Sequence, residues 1–338
     1  MVKKTVRPFF LPPSLILKQT GALISYASLL KWSRALDWMF PRGFKTLPVS
    51  AGAIGMGCIG YPNHPVWEIT SACNEHCLHC HASGGKPGKD ELTTAEGKKL
   101  IDEIAKCDEF RMLVYTGGEP LVRKDLFELM EYSKKVGFKN VIATNAIDID
   151  DAMAKDLKKC GVYGLAISLD HTNPEVHNYI RQRKDAFERA VRGIEACQKV
   201  GMILQINVTA MGYNLDDVKN VMKFADKKGA AIILNYQLVS VGRGSEIRDK
   251  EVDIKNNEWL MNNLLEWQKD LTPVVEPVAS PQYWPNLLIK NGKSSTRWVK
   301  FFKKFFYGCT AGDGLVYIKP NGDVWPCPFV EVSGVNVR

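Results

Sequence analysis

An α/β fold built on a partial parallel barrel is what this 338-residue sequence predicts, and three observations predict it. Between residues 66 and 238 short β-branched runs alternate with longer amphipathic ones, the pattern of parallel strands joined by right-handed crossovers. The residues able to do chemistry fall just after those runs, on the rim where (β/α) barrels carry their sites. The alternation yields six units, short of the eight that close a barrel, so the expected architecture is a (β/α)6 barrel open on one side.

The elements follow in order. Val66 to Thr70 reads as the first strand, and Thr93-Thr94-Ala95-Glu96 as a capping box opening a helix that runs to about Cys107. Met112 to Thr116 is the second strand. Asp125 then opens a helix with Leu126, Leu129, Met130 and Val136 on one face. Asn140 to Thr144 is the third strand, and the helix from Asp151 to Cys160 is stopped by Gly161. Val162 to Leu169, Met202 to Thr209 and Ala231 to Leu238 supply three more strands, separated by helices over Ala186 to Val200 and Leu215 to Lys228.

The net charge of +8 points to nucleic acid until it is located. Residues 1–46 hold eight basic side chains against one acidic, Asp37, and the remainder is close to neutral. A neutral body excludes a nucleic-acid-binding role and leaves a basic N-terminal segment. The uncharged run from Gln19 to Leu30 is too short to cross a bilayer. Basic residues interleaved with Trp32, Trp38 and Leu36, and again between Lys290 and Lys304, suit either a peripheral membrane contact or a helix packed on the barrel. Nothing in the chain looks secreted, so a cytoplasmic location is expected.

Cys73, Cys77 and Cys80 follow the first strand at spacing C-x3-C-x2-C. Three thiolates on one tight loop can hold three irons of a cubic iron–sulfur cluster and leave the fourth open to a substrate or cofactor. The same thiols could instead form a zinc site completed by His76, His79 or His81, or part of a disulfide framework. Cys107, Cys160 and Cys197 lie in or at the ends of helices, where a free thiol is most often a small buried apolar group. Cys58, in a Gly-rich run, receives the same reading.

The cysteine spacing, its place after a strand and the downstream Gly117-Gly118-Glu119-Pro120 resemble the radical S-adenosylmethionine (AdoMet) enzymes. The resemblance implies a TIM-like partial barrel and a [4Fe–4S] cluster on Cys73, Cys77 and Cys80, with AdoMet chelating the fourth iron. It implies that Gly117, Gly118 and Glu119 hold the methionine amino group. Ser168-Leu169-Asp170 would contact the ribose and methionine portion, and Arg181 would pair with the AdoMet carboxylate, its alternative being an exposed helix-end cation. Asn145 and Thr209 are further ribose or adenine contacts. His79 stands where the family commonly has an aromatic residue that stacks near the adenine.

Cys309, the Asn321-Gly322 hairpin turn and Cys327 resemble the opening half of a SPASM domain, the extension that binds auxiliary iron–sulfur clusters. The expected organisation is a basic extension over 1–61, the barrel over 62–240, a helical linker over 241–307 and the start of a SPASM-like domain, apparently truncated, over 308–338. The expected function is reductive AdoMet cleavage to a 5′-deoxyadenosyl radical that takes hydrogen from a peptide or a tetrapyrrole or metal-cofactor precursor. Peptide maturases and the anaerobic haem-synthase-like branch are the closest resemblance within the family. A ferredoxin or flavodoxin would be the electron donor. The alternatives are a radical enzyme acting on a lipid or lipid-linked substrate, and a non-catalytic iron–sulfur or zinc protein.

Overall fold

The computed structural model describes residues 64–338 together with Val2, Lys4 and Thr5, apart from residues 108, 109, 111, 281, 291, 293, 294, 303–310, 313 and 314. The expected N-terminal extension with Cys58, the Lys303-Lys304 end of the second basic segment, and Cys309 lie outside the described residues. Strands β1 (His64–Thr70), β2 (Met112–Gly117), β3 (Lys139–Thr144), β4 (Val162–Ser168), β5 (Ile203–Ala210) and β6 (Ile232–Gln237) run parallel in sequence order. Between them lie α1 (Thr94–Ala105), α2 (Leu126–Val136), α3 (Asp151–Lys159), α4 (Pro174–Arg181), α5 (Ala186–Lys199) and α6 (Val218–Lys227). The capping box at Thr93 and Glu96 forms as expected, and Gly161 follows α3 with a left-handed φ of 89°.

Two strands extend this frame beyond six. After α7 (Ile254–Trp267), β7 (Val274–Val278) pairs parallel with β6, inside the stretch expected to be a helical linker. Pro277 is the reason it escapes a reading by pattern, because proline cannot donate to a ladder and demotes a run. The fold tolerates it because β7 is the edge of the sheet. Helices α8 (Tyr283–Lys290) and α9 (Thr296–Phe302) follow. Then β8 (Leu315–Ile318) returns to the opposite edge and pairs parallel with β1, leading through the Asn321-Gly322 turn to β9 (Asp323–Trp325) and β10 (Val335–Asn336). Strand β7 and strand β8 do not pair with each other, so the barrel stays open between them.

The two faces of the sheet differ. Trp67, Ile69, Leu113, Tyr115, Ile142, Leu165, Ile167, Leu204, Ile206, Val208 and Ile233 face the helices and are buried in the main core. Each such side chain contributes about 1.5–3 kcal/mol on burial. Their neighbours on the lumen face, among them Val114, Thr116, Ala143, Ser168, Gln205, Asn207, Thr209 and Tyr236, are only half-buried. A closed barrel fills its interior with bulky branched side chains; here Val141, Ile232 and Leu234 on the lumen face are buried, while small and polar groups toward the strand ends stay half-buried. No helix among the described residues is long and apolar enough to cross a membrane.

The β2 turn shows why two glycines are needed. The backbone N–H groups of Gly118 and Glu119 donate to Thr70 O (2.8 Å) and Ala72 O (2.7 Å), which draws the turn against the start of the cysteine loop. A Cβ on Gly117 would overlap the Thr70 carbonyl, and one on Gly118 the Ala72 and Ser71 carbonyls. The close approach that the glycines permit is therefore to the chain's own backbone. Gly118→Ala is expected to lower stability by about 1–3 kcal/mol in urea denaturation. Gly85→Ala, where a Cβ would meet nothing within 4 Å, should change it by less than about 0.5 kcal/mol.

Candidate active site

The cysteine loop is held from three sides. It closes on itself through Cys73 N–H to Gly85 O (2.9 Å) and Gly85 N–H to Ser71 O (2.8 Å). It is pinned to the end of α4, where Leu78 N–H donates to Ile180 O (2.9 Å) and His76 N–H to Arg181 O (3.4 Å). From the segment after β6, Arg243 donates to Cys77 O (3.0 Å) and Gly84 O (2.8 Å), while its own N–H reaches Cys80 O (3.0 Å). These bonds use helix-end carbonyls and loop carbonyls that would otherwise go unsatisfied. The three thiols are thus presented together at the C-terminal rim of the barrel.

Behind them lies a buried ion pair. Asp170, following β4, meets Arg181 Nη2 at 2.6 Å, and both side chains are almost fully buried. Burial alone would raise the Asp170 carboxyl, but Arg181, His79, His177 and the Thr209 N–H (3.0 Å) outweigh it and hold it below the ordinary range. Arg181 also reaches the Cys77 sulfur (3.7 Å) and Glu75 (3.9 Å). It is a buried member of the site and not an exposed helix-end cation. His79 has its Nε2 3.7 Å from Asp170 Oδ2, and burial pushes its pKa down to about 4. Neutral imidazole leaves that carboxylate to Arg181.

Glu119 is tied into the rim by its neighbours. Its carboxylate turns inward and accepts from Thr144 Oγ1 (2.7 Å), Asn145 N–H (2.8 Å) and Leu121 N–H (3.1 Å), tying the β2 turn to the end of β3. Burial pushes its pKa up to about 7 against those donors. Asn145 in turn donates to Asn74 Oδ1 (2.8 Å) in the cysteine loop. Ser168 and Thr209 lie on the lumen face of β4 and β5.

Several residues of the site carry no motif. Asn214 donates to Asp170 O (2.7 Å) and Thr209 O (2.9 Å), joining the ends of β4 and β5. Glu75 is buried beside Cys77 and Arg181, and Glu91 accepts from Ser71 N–H (2.7 Å) and Gly88 N–H (2.8 Å) to fasten the far end of the loop. Arg243 could have been suspected from Gly242-Arg243-Gly244, since Gly242 has a left-handed φ of 54° and lies against the Cys80 and His81 carbonyls. On β8, Tyr317 donates to Glu68 (2.6 Å), Lys319 pairs with Glu68, and His81 Nε2 lies 3.3 Å from the Tyr317 hydroxyl. Cys327 is a buried free thiol on the turn after β9, and Phe329 there packs edge-on against His81. Cys160 and Cys197 are buried as expected, whereas Cys107 is exposed.

The residues present fit a cluster and a polar ligand. Cys73, Cys77 and Cys80 are free thiols, and burial pushes Cys73 up to about 11 and Cys77 higher still. Such thiols ionise when an electropositive centre is bound beside them. Among the described residues no three His, Cys, Asp or Glu side chains converge as a lone metal ion requires. A cubane is wider than one ion and takes thiols set further apart, and His79 and His81 are directed at Asp170 and Tyr317. Among the described residues, buried His79 Nδ1, Arg181 Nε, Asp170 Oδ2 and Glu75 Oε1 have no hydrogen-bond partner, ion pairs aside, polar atoms beside the loop that a polar ligand can satisfy.

The family model described as the radical SAM superfamily matches residues 67–225. The AdoMet-dependent heme synthase of Methanosarcina barkeri is 32% identical over 281 residues, covering 82% of this chain and 80% of that protein. The mycofactocin maturase MftC of Mycolicibacterium smegmatis is 31% identical over 276 residues, covering 78% of this chain and 63% of its own. Among solved structures, Streptococcus suis SuiB bound to its precursor peptide SuiA superposes with a TM-score of 0.65 at 19% identity, covering 84% of this chain and 64% of that one. The anSMEcpe structure with bound AdoMet gives a TM-score of 0.60 at 19% identity, covering 81% and 77%.

The raised Glu119 carboxyl has a measurable consequence. Because the folded state favours its protonated form, stability from this group is greatest below the unfolded carboxyl value and falls as pH rises from there through about 7. Urea denaturation of the ligand-free chain should show a loss on the order of 2–3 kcal/mol between pH 4.5 and 8. Glu119→Gln, which keeps one acceptor oxygen for Thr144 and Leu121, should flatten that part of the profile.

Proposed function

This chain belongs to the radical SAM superfamily, and from that premise we propose that Cys73, Cys77 and Cys80 hold the cluster and that the surrounding rim binds AdoMet. It is a radical SAM enzyme, and its cofactors are a [4Fe–4S] cluster and AdoMet. When bound, these supply reductive cleavage of AdoMet to methionine and a 5′-deoxyadenosyl radical able to take hydrogen from an unreactive carbon. The observation that carries the residue assignment is the packing of the three-thiol loop against the buried Asp170–Arg181 pair at the rim of an open lumen.

Each residue has a share in binding and orientation. The Gly117-Gly118 turn is held against the start of the cysteine loop, which sets it at the methionine end of AdoMet. Arg181 has a free Nε for the AdoMet carboxylate while Asp170 holds its other end. His79, neutral and flat, lies within the site for the adenine, with Asn145, Ser168 and Thr209 along the strand ends for the ribose. Glu119 orients these groups from behind through Thr144 and Asn145.

The substrate we propose is a peptide or a tetrapyrrole or metal-cofactor precursor. The half-buried small and polar groups toward the strand ends support a bulky substrate, since a closed packed barrel leaves no such room. The named activities of the heme synthase and maturase relatives agree with that class. We extend the proposal to a barrel body over 62–240 carrying a SPASM-like region over 308–338, with Cys327 and Cys309 as ligands of an auxiliary cluster. All described cysteines are free thiols, which supports a reducing, cytoplasmic setting with a ferredoxin or flavodoxin as donor.

Anaerobic reconstitution with iron and sulfide tests the assignment. Wild-type protein should gain iron–sulfur absorbance and cleave AdoMet when reduced, and Cys77→Ala should reduce cleavage by at least about 100-fold. Cleavage that survives unchanged in Cys77→Ala would overturn it. Mass spectrometry of a candidate peptide or porphyrin precursor for loss of hydrogen or carbon dioxide tests the substrate class.

A further inference from the structure

Among the described residues, the buried carboxylates along the lumen and its rim are met by a cation or by hydrogen-bond donors, with one exception. Asp170 has Arg181, and Glu68 has Lys319 together with the Tyr317 hydroxyl. Glu75 has Arg181 and the Cys77 thiol, and Glu119 has Thr144, Asn145 and Leu121. Glu276 on β7 is 2% exposed, and among the described residues it has no cation and neither carboxylate oxygen has a hydrogen-bond partner. The register places it on the lumen face, opposite Leu234, which in turn pairs with Asn207. Its neighbour Val275 faces the helices instead, within the main core.

A buried, unpaired carboxyl is costly to keep. Burial drives Glu276 well above the usual carboxylate range, toward its neutral form. A neutral acid donates one hydrogen bond and leaves its carbonyl oxygen unsatisfied. An ammonium with three N–H donors, or a guanidinium with five, satisfies both oxygens and lets the group ionise. Tyr236 lies one register step further along the same lumen face, paired with Thr209 and Val278, and its burial, with Glu276 nearby, pushes its hydroxyl up to about 12. Its neutral hydroxyl is a further acceptor, and its ring a wall suited to a cation.

We propose that Glu276, with Tyr236 beside it, is a specificity residue that anchors a cationic nitrogen of the substrate, an ammonium or guanidinium, inside the barrel. This rests on the reading of the lumen as the substrate chamber and adds the charge that the substrate carries. It selects against substrates whose buried end is anionic, because a carboxylate brought to Glu276 would meet a like charge or a single donor.

The test uses the reconstituted protein under anaerobic conditions, titrated with n-butylammonium, n-butanol and butyrate as probes while thermal unfolding is followed. Saturating n-butylammonium is expected to raise the midpoint by about 2–4 °C, with n-butanol and butyrate giving less than about 1 °C. Glu276→Gln should abolish the n-butylammonium shift. Glu276→Gln and Glu276→Leu should also raise the probe-free midpoint, since each removes an unpaired buried acid. A butyrate shift equal to that of n-butylammonium, no shift in wild type, or an n-butylammonium shift retained in Glu276→Gln each overturns the anchor. Wild-type protein that cleaves AdoMet yet ignores n-butylammonium refutes the anchor alone, whereas wild-type protein that does not cleave AdoMet refutes the parent reading.

Discussion

Asp170 and Arg181 are opposite charges placed where water hardly reaches them, 2.6 Å apart, and the rim is built around that pair. Desolvating each ion costs several kcal/mol, which attraction offsets only when the remaining donors and acceptors are also met. Thr209 N–H meets one carboxylate oxygen, while Asn214 clamps the adjoining carbonyls of β4 and β5. Arg181 ends α4, and the same helix end accepts from His76 and Leu78 in the cysteine loop. A single pair therefore fixes α4 against β4 and, through α4, the position of Cys77.

An open sheet complements that fixed rim. Because β7 and β8 end the parallel set without pairing, the sheet does not close on itself, and inward side chains such as Thr116, Ser168, Asn207 and Thr209 stay half-buried. Glu68, Tyr317 and Lys319 fasten β8 and its hairpin to β1 close to the cysteine loop, through His81. The C-terminal hairpin is thereby tied to the same loop that the cluster requires. Rigidity is concentrated where a cluster and AdoMet must be oriented, and room is left where a large substrate must enter.

Much of this was legible in the sequence because it depends on local pattern. The alternation of runs gave the six consecutive strands, the Thr93 and Glu96 capping box gave α1, and the cysteine spacing with Gly117-Gly118 located the rim. What escaped depends on tertiary contacts. β7 was hidden by Pro277, harmless only because the strand is an edge. The inward turn of Glu119 is set by Thr144 and Asn145, twenty-five and more residues away. Arg181 could equally have been an exposed cation until β4 placed Asp170 beside it. Asn214 and Glu276 have ordinary sequence surroundings, and their significance lies in what faces them or, for Glu276, in the absence of any described partner.

The claim that the buried pair organises the rim is tested most directly by a double-mutant cycle over Asp170→Asn and Arg181→Met, read as stability in urea. Each single variant is expected to cost about 3–5 kcal/mol, because it leaves the other partner buried and uncompensated. The double variant should cost no more than either single one. Costs that add to within about 0.5 kcal/mol would show that the two side chains act independently, and would contradict the account.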